Sequence, residues 1–204
     1  MAGRVIPEPY AYPAGPHLRR HGPTGWKDYS RYRPWLRDEF TFRCVYCLNR
    51  ERWMDMRRGF QIDHFIPQKL RPDLHAEYNN LIYLCAACNN LKGAATLPDP
   101  CFVALAACLR FHRDGTVEAL HPDGDAIIER LELDDPQLIE WRRRKIGGIL
   151  SDSAADWPRF VEEMRFPNDL PDLTADVPPG NSRPQGVAES WHARRQAGTL
   201  PEVY

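Results

Sequence analysis

The sequence predicts an α+β fold, and three observations carry that prediction. Two Cys-x-x-Cys pairs, Cys44/Cys47 and Cys85/Cys88, close off a stretch that holds two short strand-like runs. Apolar residues at intervals of three and four mark helices before and after it. Further on, two more short runs flank Arg113-Asp114-Gly115, the pattern of a β-hairpin. A chain of 204 residues suffices for one core with decorations. Its 43% hydrophobic and 27% charged residues point to a globular protein rather than a disordered one. The sequence shows no apolar run near the ~20 residues of a membrane span, and its Pro-rich start lacks the apolar core of a secretory leader. The expectation is a cytoplasmic protein with no membrane partner.

In chain order, residues 1–25 hold Pro7, Pro9, Pro13, Pro16 and Pro23, which rules out a regular helix or central strand. This arm is expected to be disordered or laid across the body, with Arg19 and Arg20 as candidate phosphate contacts. From Trp26 to Phe40, the spacing of Tyr29, Tyr32, Trp35 and Leu36 predicts a helix that Pro34 breaks or restarts. Arg50 to Met56 and Phe60 to Phe65 read as strands around a turn at Arg57-Arg58-Gly59. Residues 68–79 read as a loop or short helix, and Leu81 to Leu84 as an apolar run into the second cysteine pair. A helix is expected from near Ala86, ended by Gly93.

Beyond Pro98, the hairpin spans Leu109 to Leu120, followed by a turn at His121-Pro122-Asp123-Gly124 and a short helix from Ala126 to Leu131. Asp134-Asp135-Pro136 signals a helix start, an acidic cap ahead of Pro, and that helix is expected to reach about Ile146. A last helix is expected over Ala155 to Arg165. Six prolines in residues 166–204 predict an extended tail. The predicted organisation is therefore an arm (1–25), a central domain (26–98), a hairpin with helices (99–165) and the tail (166–204).

Four cysteines in two knuckles supply the thiolates of a closed tetrahedral Zn²⁺ site, which leaves no position for substrate; this zinc is structural. A redox role would need a βαβ setting that the pattern lacks. Cys101 and Cys108, beside an apolar run, read as small buried hydrophobes. Between the knuckles stands a polar set that zinc does not require: Asp63, His64, Asn80 and Asn89.

Asp63-His64-Phe65-Ile66-Pro67, then Asn80-Leu81-Ile82-Tyr83-Leu84-Cys85-Ala86-Ala87-Cys88-Asn89-Asn90-Leu91-Lys92-Gly93, resembles the HNH endonuclease signature, in the version whose third letter is Asn. The resemblance covers about fifty residues, and two interleaved patterns make it specific. It implies a ββα-metal fold within the domain at 26–98 and metal-dependent phosphodiester hydrolysis. It makes His64 the general base, Asp63 and Asn89 ligands of a catalytic divalent ion, and Asn80 the residue that holds the His-bearing loop. Two oxygen donors with room for water suit Mg²⁺ or Mn²⁺. Imidazole is suited to accept a proton from water near neutral pH. Lys92, three residues after Asn89, is a candidate substrate contact to phosphate, with a solvated lysine equally expected. His75 lies in the motif's variable loop, while His17, His21, His112, His121 and His192 read as surface or core fillers.

Residues 1–98 carry 15 Lys and Arg against 9 Asp and Glu; the remainder carries 12 against 19. The basic half holds the motif, as a DNA-binding face needs. The acidic half and tail are expected to dock a protein partner. Arg142-Arg143-Arg144-Lys145 spreads around a helix and reads as solvated or salt-bridged. Three functions compete. The first is an active endonuclease on DNA. The second is a nuclease subunit of a defence complex that a partner such as an ATPase activates, a type that Asp-His-Phe-Ile-Pro-Gln resembles. The third is a zinc-stabilised nucleic-acid-binding module.

Overall fold

The computed structural model describes residues 6–54 and 59–204. Asp28 caps a 3₁₀ turn, Tyr29–Tyr32, through the Ser30 N–H, and the chain runs directly into α1, Arg33–Glu39. Pro34 falls in the first turn of α1, where no intrahelical donor is lost, so it restarts the helix rather than breaking it. The expected strand at Arg50 to Met56 differs. Residues 55–58, with most of the expected turn, lie outside the described residues. Glu51–Met54 is turn, and Arg50 makes only an isolated bridge to Arg43. Here Arg50 and Trp53 are drawn toward a later helix, donating to the carbonyls of Met164 and Glu163.

The central hairpin pairs β2, Phe60–His64, with β3, Leu81–Cys85, antiparallel, with Phe60 opposite Cys85 and His64 opposite Leu81. Two 3₁₀ turns, Pro72–Leu74 and Tyr78–Asn80, fill the connection. Helix α2, Ala86–Lys92, starts at Cys85, whose Sγ accepts the Cys88 N–H, and stops at Gly93, whose φ of 52° and ψ of −126° suit only glycine. The mixture of helices with small antiparallel strands is the expected α+β class.

The second half keeps the predicted elements but shifts their ends. After a short α3, Leu105–Cys108, the hairpin β4, Leu109–Phe111, and β5, Val117–Ala119, forms where expected. Phe102, in the apolar run beside α3, is 83% exposed, whereas Leu105 and Cys108 are buried. The expected turn at His121 is the start of α4, Pro122–Leu131, because His121 Nδ1 caps the Asp123 N–H. Helix α5, Pro136–Ala155, is capped by Asp135 as expected and continues past Ile146. Its two glycines, at roughly 1 kcal/mol each relative to Ala, are outweighed by burial of Ile146 and Ile149, which share a face. Helix α6, Trp157–Met164, packs back on α5. Arg143 and Arg144 pair with Glu140 and Lys145 with Glu163, while Arg142 is buried, bonded to the carbonyls of Gly115 and Leu133.

The tail is only partly extended. Its Gly180–Asn181 strand, β6, pairs with β1, Pro23–Thr24, and it adds two short helices, α7, Gln185–Ala188, and α8, Trp191–Gln196. Such short elements leave no period to read in the sequence. The largest apolar cluster combines Trp35, Tyr46, Leu81 and Tyr83 with Leu105, Ile127, Leu131 and Leu173. No described helix is long and apolar enough to cross a membrane.

Asp38 and Glu39, buried at the end of α1, hold both residues 17–21 of the arm and Trp191 of the tail. Glu39 accepts from the backbone N–H groups of Arg20 and His21, meets His17 Nε2 at 2.9 Å and accepts from Tyr78. Asp38 contacts Arg20 and His21 and accepts the Trp191 N–H. Arg19 is folded inward against Phe40 and Tyr78 and donates to the Leu81 carbonyl, so the arm's arginines hold it to the body instead of facing outward for phosphate. Burial alone would raise the Glu39 carboxyl, but the hydrogen bond and charge of His17, with His21 and Arg19, hold it at about 2. A carboxyl lowered on folding stabilises the protein above its unfolded value and loses that contribution as pH falls through the folded one. Stability should therefore drop between pH ~4.3 and about 2, by roughly 3 kcal/mol from this group. Glu39→Gln should flatten that part of a tryptophan-fluorescence acid-unfolding curve; an unchanged slope would show that Glu39 is not its cause.

Candidate functional site

Side chains alternate along β2, so Gln61 and Asp63 share a face. Helix α2 lies against that face. Asn89 Nδ2 donates to Gln61 Oε1, and Lys92, three residues on, places Nζ 2.7 Å from Asp63 Oδ2 and 3.0 Å from the His64 carbonyl oxygen. Asp63 and Asn89, 26 positions apart in the chain, thus stand on the two packed elements, Asn89 joined to β2 through Gln61 and Asp63 joined to α2 through Lys92.

His64 ends β2 and is 8% exposed. Its Nε2 is 2.9 Å from the His75 carbonyl oxygen, which can only accept, so Nε2 carries the proton in the neutral ring and Nδ1 keeps its lone pair. Tyr29 meets the ring edge-on, with centroids 4.8 Å apart. Asn80 fastens the segment that follows: its Oδ1 accepts the Ile66 N–H at 2.8 Å, and its Nδ2 donates to the carbonyls of Ile66 and Leu74. The Asn80 carbonyl also accepts the Phe65 N–H at 2.7 Å. This one buried side chain joins the exit of β2 to the turn whose next residue, His75, holds His64.

Two residues are placed differently from expectation. Lys92 is fully buried, neither solvated nor turned outward to phosphate; the Asp63 carboxylate and the His64 carbonyl neutralise and hydrogen-bond its ammonium. Its contact with Asp63 is an ion pair without directed hydrogen-bond geometry, since Oδ2 is buried and otherwise unpartnered. His75 contributes its carbonyl, while its ring faces the Pro72 carbonyl. Gln61 and Tyr29 were missed by sequence reasoning. Gln61 was legible in principle, two residues before Asp63 on one strand. Tyr29 was not, because it arrives from a separate helical segment.

Behind this face, Cys44, Cys47, Cys85 and Cys88 are buried with their sulfur atoms all within 4.8 Å of one another. Cys47 and Cys85 are 3.7 Å apart, close to the roughly 3.8 Å edge of a tetrahedron with 2.3 Å Zn–S bonds. Cys44 beside them pushes the thiols of Cys47 and Cys88 well up, so four thiolates coexist here only around a cation. The cluster fits a zinc site. A cavity of about 590 Å³ between the arm and the first knuckle, lined by Tyr12, His17 and Val45, does not include Asp63, His64 or Asn89.

No curated protein matches the chain. Residues 44–95, about a quarter of its length, match the family model described as HNH endonuclease. The match begins at the first knuckle, takes in β2, β3 and α2, and ends just past Gly93. The chain therefore carries an HNH endonuclease domain.

Proposed function

We propose that the protein is a metal-dependent endonuclease that hydrolyses phosphodiester bonds in DNA. The observation that carries this reading is His64, with Nε2 held by the His75 carbonyl and Nδ1 left to accept a proton, directly after Asp63 at the end of β2. The donor set fits a hard divalent ion. Lys92 covers Asp63 Oδ2 and leaves Oδ1 as a ligand, while the bond to Gln61 occupies Asn89 Nδ2 and leaves its Oδ1. Two such oxygens with room for water suit Mg²⁺ or Mn²⁺. Bound there, the ion supplies positive charge to the scissile phosphate and the leaving oxygen.

His64 Nδ1 takes the proton from a water aimed at phosphorus, and the His75 carbonyl stabilises the imidazolium that forms. Asn80 keeps that carbonyl in place. Gln61 orients the Asn89 amide and Lys92 holds the Asp63 carboxylate, acting as positioning residues. A zinc on the four cysteines would join the first knuckle to the end of β3 and the start of α2, and would take no part in the chemistry. The charge reversal beyond residue 98 favours a second reading, activation by a protein partner docked on the acidic half.

The purified full-length chain should nick or cut supercoiled plasmid in Mg²⁺ or Mn²⁺ and not in EDTA. Gln61→Ala should weaken Mn²⁺ binding, measured by electron paramagnetic resonance, by roughly 10–100-fold, as loss of an outer-shell orienting group does. Cleavage equal in EDTA would overturn the metal-dependent mechanism. Salt-sensitive DNA binding without cleavage in either metal would favour the binding module, or the partner-activated reading if an added partner restored cutting.

A further inference from the structure

We propose that Cys108, His121 and Asp123 form a second Zn²⁺ site, three protein ligands with the fourth position open to water. One ligand atom from each lies within 4.8 Å of the others. Cys108, at the end of α3, is 2% exposed, and its thiol has no hydrogen-bond partner among the described residues. His121 and Asp123 open α4, on the other side of the β4–β5 hairpin.

The backbone fixes this meeting. The Leu120 N–H donates to the Cys108 carbonyl at 2.7 Å. A Cβ at Gly124 would lie 2.0 Å from that same oxygen, so α4 approaches Cys108 at a distance only glycine permits. The approach brings an unpartnered thiol against an imidazole and a carboxylate.

The spacing is that of ligands around an ion. His121 Nδ1 accepts the Asp123 N–H at 3.2 Å and lies 3.3 Å from Asp123 Oδ2. A shared cation would take the Nδ1 lone pair in place of the 3.2 Å contact from the Asp123 N–H and draw the carboxylate oxygen to the same centre. In a tetrahedral site with Zn–N and Zn–O bonds near 2.1 Å, that edge is roughly 3.3–3.5 Å. Among the described residues, Asp123 has no arginine or lysine partner to supply the charge instead. Sulfur, nitrogen and oxygen donors together match the borderline character of Zn²⁺ better than that of Mg²⁺ or Ca²⁺.

The ion would clamp the hairpin to the start of α4. Arg130, near the end of α4, donates to the Lys92 carbonyl at 3.0 Å, which links this clamp to the end of α2. Zinc bound per full-length chain, measured by elemental analysis after equilibration with Zn²⁺ and gel filtration, tests the proposal. The expected result is two equivalents in the wild type and one in both Cys108→Ser and His121→Asn. Asparagine retains a helix-capping oxygen, so the second variant separates loss of the imidazole from loss of the cap. An independent check is Co²⁺ substitution, where Cys108→Ser should lose only part of the thiolate-to-metal absorption. One equivalent in the wild type, or two persisting in both variants, would overturn the site.

Discussion

His64→Ala should abolish plasmid cleavage, by about 10²–10⁴ in rate, the range for removal of a general base, while zinc content, melting behaviour and DNA affinity stay close to wild type. Among the described residues, the side chain removed makes one hydrogen bond, to the His75 carbonyl, and one ring contact, to Tyr29. It is not among the four clustered thiols. Loss of activity therefore comes from the missing acceptor at Nδ1. Asn89→Ala acts differently, because it takes an oxygen from the proposed ion site; raising Mn²⁺ should restore part of its activity and none of that of His64→Ala. Wild-type cleavage by His64→Ala in Mg²⁺ would rule out the mechanism, and rescue of both variants by Mn²⁺ would move His64 from base to ligand.

Cys44→Ser should release the four-thiolate zinc and leave the protein aggregated or molten. A structural zinc contributes roughly 10 kcal/mol or more to folding, comparable with the whole stability of a domain. The local structure explains why no packing change can substitute. Cys44 N–H donates to the Asn49 carbonyl, Leu48 N–H returns to the Cys44 carbonyl, and Leu48 is held at a φ of 59°, a strained value for a non-glycine residue. That knuckle is joined to β3 through the Val45 N–H to Tyr83 carbonyl bond, so its release would loosen the hairpin that carries Asp63 and His64. Circular dichroism melting together with zinc quantitation checks this. A Cys44→Ser protein that melts as wild type and keeps its zinc would show that the cluster is not the structural centre of the domain.

The sequence by itself determined the parts in which residue identity and spacing specify the chemistry. Two Cys-x-x-Cys pairs make a four-thiolate cluster wherever the chain brings them together, and Asp63, His64, Asn80 and Asn89 were named from a motif that occupies only a quarter of the chain. Pro136, at a helix start, and the hairpin around Gly115 were legible for the same reason, since they act within a few residues of themselves, whereas Pro34 left a break and a restart equally open until the structure placed it in the first turn of α1.

Tertiary structure decided whatever depends on which distant group arrives beside a side chain. Lys92 looked like a surface lysine until β2 brought Asp63 against it, and His17 and His21 looked like fillers until Glu39 and Asp38 met them. The orientation of His64 rests on a backbone carbonyl, which every residue possesses and no sequence pattern marks. Arg142 and Arg143 are neighbours in a basic run, yet one is buried on backbone carbonyls and the other pairs with Glu140 in solvent. Side-chain charge is written in the sequence, but its solvation and partners are set by packing, and for these residues packing decided the role.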